Sequence, residues 1–367
     1  MKHLPGGALR AAPQYEPTED APYTAFRDRD RLETVPQGFP FPEVLRQAPF
    51  AGKAYINRSH VRPGMDADFV VAIPVRNEDA LLPRCLTALG QIMADAERRG
   101  AAVIIVHDTN DGSYELARRW MDTLPGPGCL LDMRLAPDIR SAAHARRLAL
   151  DIASRLTSDG ILFTTDADSQ VAPGWVEQLA AQIDRGCDLV CEDVRLDEEE
   201  LSRLPGQVRD IGNAERAYFQ ASEALWRKWT KGCMGAFAHR ASGASMAFTA
   251  AAYRSLGGLR LPSVGEDTAF CEAAVAAGLE VVTLPDCGTR TSARLQSRAH
   301  GGCGETLLHR SQQSDPPCDH RLVSVATLRR LAETGERSGA LAAPPLTFSE
   351  VLAELAIAHR LLGWTDG

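Results

Sequence analysis

Five times between residues 69 and 196 the chain runs through a short apolar stretch and then stops on polar or acidic groups. The stretches are FVVAIPV (Phe69–Val75), AVIIVHD (Ala102–Asp108), Leu130–Leu135, GILFTTDADS (Gly160–Ser169) and LVCEDVRL (Leu189–Leu196). Each is too short for a buried helix, and the apolar positions run on without alternation, as in strands covered on both faces. Between them the apolar period changes to that of a helix. Asn77–Arg98 carries Leu81, Leu82, Cys85, Leu86, Leu89 and Met93 at helical spacing, with Gly100 placed to close it. Ser113–Leu124 and Ser141–Leu156 follow the same rule, and Pro173–Arg185 opens with proline in its first turn. Strands alternating with helices of this length predict an α/β fold with a mostly parallel central sheet and helices on both faces. Such sheets bind ligands beyond the carboxyl ends of their strands. Here those ends carry Asn77–Glu78, Asp108 and Asp166–Asp168.

The rest of the chain frames that unit. Residues 1–65, rich in Pro, Gly, Arg and Asp, read as an extended N-terminal arm, with order beginning at Asp68. Residues 66–315 form the main domain, divided at about residue 200, and 316–367 a C-terminal helical extension. Ile211–Lys231 reads as a long amphipathic helix whose Tyr218, Phe219, Trp226 and Trp229 supply core. Val281–Asp286 is a further strand. A net charge of -8 without a Lys/Arg run argues against a nucleic-acid partner. Nine scattered cysteines with no CxxC pair fit neither a disulfide framework nor a structural zinc site, which makes a reducing cytoplasm the expected location. No apolar run approaches the roughly 20 residues that cross a bilayer.

Asp166-Ala167-Asp168 is the sharpest chemical feature. Two carboxylates one residue apart at a strand end can face one crevice, and a hard divalent cation takes oxygen ligands while leaving positions for phosphate oxygens. Mn²⁺ or Mg²⁺ between Asp168 and a nucleoside diphosphate fits that pattern. Aspartate is also common in turns and caps, so position in the fold decides the reading.

Four pieces, IPVRNE (Ile73–Glu78), IVHDTNDGS (Ile105–Ser113), DADS (Asp166–Ser169) and GED (Gly265–Asp267), occur in the order of the motifs of family-2 glycosyltransferases. The chain resembles that family over roughly residues 68–300. The resemblance implies a GT-A fold for 66–315, with a nucleotide-binding half (66–200) and an acceptor half (201–315). It implies transfer of a sugar from a UDP- or GDP-sugar donor to an acceptor hydroxyl. In that frame Pro74, Asn77, Glu78 and Asp108 form the nucleotide pocket, Arg140 grips phosphate, Asp166 contacts ribose and Asp168 holds the metal. Glu266 and Asp267 match the acceptor-side acidic pair, with Asp267 as general base and Glu266 orienting the acceptor. The alternative for this pair is capping of the following helix. Arg298 and His300 lie where relatives place groups near the diphosphate; His300 is a candidate metal ligand, and Arg294 and Arg298 are spaced to share a helix face. Arg146 and Arg147 are expected to face solvent. The processive members' QxxRW signature and membrane helices are missing. Inverting and retaining chemistry both remain open. A nucleotidyltransferase is disfavoured because VRNEDALLP replaces a Gly-rich phosphate loop. A non-catalytic scaffold on the same fold is the reading from another class.

Overall fold

The computed structural model describes residues 41–64, 66–296, 301–335 and 344–364. A four-residue helix α1 (Pro42–Leu45) leads into β1 (Ala54–Arg62), and order therefore starts well before Asp68. Alternation then proceeds through β2 (Phe69–Val75), α2 (Leu82–Asp95), β3 (Gly100–His107), α3 (Ser113–Met121) and β4 (Gly128–Leu135). A 3-10 turn at Pro137–Ile139 precedes α4 (Ala142–Ala153), β5 (Ile161–Thr164), α5 (Trp175–Asp184), β6 (Leu189–Glu192) and the two-residue β7 (Arg195–Leu196). The second half holds α6 (Glu198–Ser202), α7 (Gly206–Thr230), β8 (Met246–Thr249), α8 (Ala250–Ser255), α9 (Glu266–Ala276), β9 (Val281–Leu284) and β10 (Arg290–Thr291). Helices α10 (Cys303–Gln312), α11 (Val325–Thr334) and α12 (Phe348–Leu362) complete it.

Among the described residues the main sheet has eight strands in the order β1-β4-β3-β2-β5-β8-β6-β9. The block β4-β3-β2-β5 is parallel, β1 runs antiparallel along its outer edge, and β8 runs antiparallel between β5 and β6. All seven residues of β2 are buried, which explains its unbroken apolar sequence. The chain leaves β2 toward β3 and β4 and returns on the other side as β5, so the strand order reverses beside β2 and opens a crevice at its carboxyl end.

Two apolar layers sandwich the sheet. One packs α2, α3 and α5 through Leu82, Leu89, Tyr114, Trp175 and Val176; the other packs α4, α8 and α9 through Leu148, Ile152, Tyr253 and Phe270. Helices α7, α11 and α12 build a separate core around Tyr218, Trp226, Leu328 and Val351. The long helix is there, its aromatics mostly buried, starting five residues earlier than the pattern placed it. Two other local expectations differ. Gly100 opens β3 rather than ending a helix, and 189–196 breaks into β6 and β7 at the buried Glu192 and Asp193. Among the described residues no helix is long and apolar enough to cross a membrane.

Candidate active site

A cleft of about 580 Å³ lies beyond the carboxyl ends of β2, β3 and β5. Pro74, Glu78, Arg140, Asp166, Asp168, Glu266 and Asp267 all line it. Asn77 and Asp108 do not, and the structure gives each a different task. Both have left-handed backbone (φ of 51° and 47°), a conformation Asn and Asp tolerate better than most residues. The Asn77 Oδ1 accepts from the Asn110 amide at 2.9 Å, and the Thr109 hydroxyl accepts from the Asn77 amide at 3.2 Å. Asn77 therefore knits the loops after β2 and β3. The Asp108 carboxylate contacts His107 Nδ1 at 3.2 Å, the Leu135 amide at 3.4 Å and Arg140 Nε at 3.3 Å. It sits behind His107 and Arg140, which reach the cleft wall. The turn after β3 is capped by Asp111, whose Oδ1 accepts from the Ser113 amide at 2.9 Å, and not by Asp108.

Glu78 is bound by Arg294, whose Nη1 donates to Oε2 at 2.6 Å. The same guanidinium reaches Asp168 Oδ2 at 2.9 Å. Arg294 follows β10 in extended and bent chain, outside any helix, so the expected shared helix face does not form on its side. The Thr291 hydroxyl donates to Asp168 Oδ1 at 3.4 Å. Burial and the neighbouring charge of Asp166 push the Asp168 carboxyl up to about 7, against the pull of Arg294. Arg298 and His300 lie outside the described residues.

At the start of α9, Gly265 with φ of 78° turns the chain into the helix, so Glu266 and Asp267 are its first residues. The helix N-terminus favours negative charge there. Neither acid is the N-cap. Asp267 Oδ2 accepts from the Gly243 amide at 2.9 Å and Oδ1 from the Thr268 amide at 2.7 Å. Burial and the charge of Glu266 raise the Asp267 carboxyl above the ordinary aspartate range. Glu266 Oε1 pairs with Arg146 Nε at 3.1 Å.

The expectation that Arg146 and Arg147 face solvent is wrong. Arg146 has 6% of its side chain exposed and donates to Asp166 Oδ1 at 2.6 Å, Thr164 Oγ1 at 2.8 Å and the Gly243 carbonyl at 2.9 Å, besides Glu266. Arg147 pairs with Asp151 at 2.8 Å on the other side of α4. The signal for Arg146 was present in the helix period: it directly follows Ala145 and stands four residues before Leu150, both in the buried stripe of α4. His107 and Thr291 also escaped the sequence reading, because nothing in their local pattern separates them from ordinary strand residues.

Residues 70–243 match the family described as Glycosyl transferase family 2. No curated protein matches the chain. Among solved structures it is similar to a mannosyltransferase from Pyrobaculum calidifontis in complex with GDP-Man and Mn²⁺, with 18% identity over 85% of this chain and 80% of that one and a TM-score of 0.48. It is similar also to glucosyl-3-phosphoglycerate synthase from Mycobacterium tuberculosis in complex with UDP, with 16% identity over 68% and 84% and a TM-score of 0.40. A third is S. aureus TarS, with 13% identity over 61% of this chain and a TM-score of 0.42; the chain spans 36% of the length of TarS.

Proposed function

We propose that the chain transfers a sugar from a nucleoside-diphosphate donor to an acceptor hydroxyl with inversion, Asp267 acting as general base. One observation carries this reading: Asp166, Asp168, Glu266 and Asp267, drawn from a strand end and a helix start 98 to 101 residues apart, open on one cleft. Packing alone gives no reason to gather four acids in a partly buried crevice, where like charges repel.

The donor lies along the β2–β3 side, with Pro74 and Arg140 on the wall and Asp166 toward the ribose. Among the described residues no group of three or more His, Cys, Asp or Glu is gathered to hold a metal ion. That fits a hard cation carried mainly by substrate phosphates and one or two carboxylates, with Asp168 as its protein ligand. Bound there, Mn²⁺ or Mg²⁺ supplies positive charge against that of the departing diphosphate. Asp267 removes the proton of the acceptor hydroxyl as it attacks the anomeric carbon, and its raised pKa makes it a stronger base than an ordinary carboxylate. Glu266, held by Arg146, orients the acceptor. Nine unpaired thiols support a reducing cytoplasm as the setting.

A thermal-shift panel of UDP, GDP, CDP and dTDP with and without Mn²⁺ tests the donor side. A true donor nucleotide at a hundredfold excess over its Kd stabilises by about 2.7 kcal/mol, and only with the cation. No response to any of the four removes the reading.

A further inference from the structure

The proposed reaction uses the buried Arg146 only as the partner of Glu266. Arg146, in the second turn of α4, has four acceptors from three distant segments: Asp166 and Thr164 at the end of β5, Gly243 before β8, and Glu266 at the start of α9. Its link to Asp267 runs through the backbone of one residue, Gly243. The Gly243 carbonyl accepts from Arg146 Nη1, and the amide of the same residue donates to Asp267 Oδ2. A Cβ on Gly243 would stand 2.5 Å from the guanidinium carbon, so a glycine is what lets the backbone at 243 touch the arginine.

We propose that Arg146 is the positioning residue that sets the acceptor-side acids, Glu266 and Asp267, against the donor-side acid Asp166. The proposal rests on the glycosyl-transfer reading and assigns to this chain how the two halves of that site are brought into register. A guanidinium is planar and donates in fixed directions, so it dictates the mutual placement of its acceptors, whereas an ammonium group only neutralises them. Arg146 therefore acts through Glu266 and the Gly243–Asp267 contact rather than on the reacting atoms. A displacement of about 1 Å at such a site costs on the order of 100-fold in rate.

The neighbouring arginine provides the contrast. Arg147 pairs with Asp151 and donates to the Leu259 carbonyl at 2.6 Å, outside the cleft lining. Its loss affects stability only.

The test uses Arg146→Lys, Arg146→Met, Gly243→Ala and Arg147→Lys in the full chain. Arg146→Lys keeps the charge and loses the geometry: kcat falls about 100-fold while KM for the donor and Kd for its nucleoside diphosphate with Mn²⁺ stay within about threefold. Arg147→Lys lowers Tm and leaves kcat per folded molecule unchanged. Arg146→Met removes the charge as well. The carboxyl ¹³C resonance of Asp267 then titrates at higher pH than in the wild type, and in Arg146→Lys it returns to the wild-type midpoint. Among the described residues, the other titratable or charged groups acting on Asp267 are Glu266, Arg321 and Cys191, which all variants retain. Gly243→Ala pushes the guanidinium aside and reproduces the kcat loss, which keeps the test alive if Arg146→Met does not fold.

Wild-type kcat in Arg146→Lys overturns the proposal. So does a loss of kcat matched by an equal loss of nucleotide affinity, or an Asp267 midpoint that Arg146→Met leaves in place. A wild-type protein that transfers no sugar sinks the glycosyl-transfer reading instead, and the Asp267 titration still judges whether Arg146 governs that acid.

Discussion

The two walls of the cleft are built by different means. On the wall proposed to hold the donor, the backbone does the placing. Strands β2, β3 and β5 lie side by side in parallel register, buried from both faces, and their polar residues emerge wherever the strands stop. On the acceptor wall the sheet has turned over: β8 runs antiparallel to β5, and the acids come from a helix start. There the placing falls to side chains that reach over long spans of sequence, as Arg146 does to Glu266 and as Asp267 does to Gly243. A wall set by strand topology survives loss of one polar contact. A wall set by side chains does not.

The strongest way to break this contrast is to exchange one acid from each wall for its amide. Asp267→Asn removes the proposed base, and transfer is expected to fall by about 1,000-fold or more while the Kd for nucleoside diphosphate and Mn²⁺ is kept. Asp168→Asn does the opposite: Mn²⁺-dependent nucleotide affinity drops about 100-fold, with the apo fold intact. Calorimetry with Mn²⁺ and steady-state kinetics on both variants separate the effects. Equal losses of affinity in the two would mean that the walls do not divide the labour.

The same contrast governs how far the sequence could be read. The donor wall was legible because a strand buried on both faces must be continuously apolar, so Phe69–Val75 and Ala102–Val106 declare themselves and the acids after them stand out. β1 was not, since a strand paired on one edge carries a mixed sequence; its YINRSH reads like any polar arm. Arg146 was missed for a different reason. Arginine is read as surface by default, and the acceptors that make its burial tolerable lie as far as 120 residues away. Asp108 shows the limit of a motif. Its place after β3 was read correctly, but only coordinates reveal that its carboxylate is engaged by His107, Leu135 and Arg140. The cleft there is faced by His107 and Arg140.

A smaller effect tests the polar ties behind the cleft. Glu192 is fully buried and accepts from the Ser245 hydroxyl at 2.6 Å, the Cys287 amide at 3.0 Å, and the Thr289 amide and hydroxyl at 2.9 and 2.6 Å. It holds the 287–289 turn against β8, two residues before the Thr291 that bonds Asp168. Glu192→Gln turns an acceptor into a donor facing donors, and the unmet groups cost about 2 to 3 kcal/mol of stability. Denaturant titration reads that loss. An unchanged midpoint would show that the turn behind the cleft does not depend on its polar ties.

The smallest effect concerns two acids with opposite shifts. Burial alone would raise Asp319, but the hydrogen bond and charge of Arg321, at 2.6 Å, outweigh it and hold the carboxyl at about 2. Its folded pKa lies below the ordinary 3.8, so its stabilisation is complete above that value and is lost as pH falls toward 2. The contribution at pH 7 is about 2 kcal/mol, and Asp319→Asn should remove it, with the variant and wild type converging in acid. Asp267 runs the other way. Its pKa is raised, so its ionisation weakens the folded state at neutral pH, and Asp267→Asn should hold or raise Tm at pH 7 even as transfer disappears. An acid kept for structure and an acid kept for chemistry thus give opposite signs in one pair of melting curves. If Asp267→Asn were the more damaging of the two to stability, Asp267 would be a fastener of α9 rather than a base held against its own electrostatic preference.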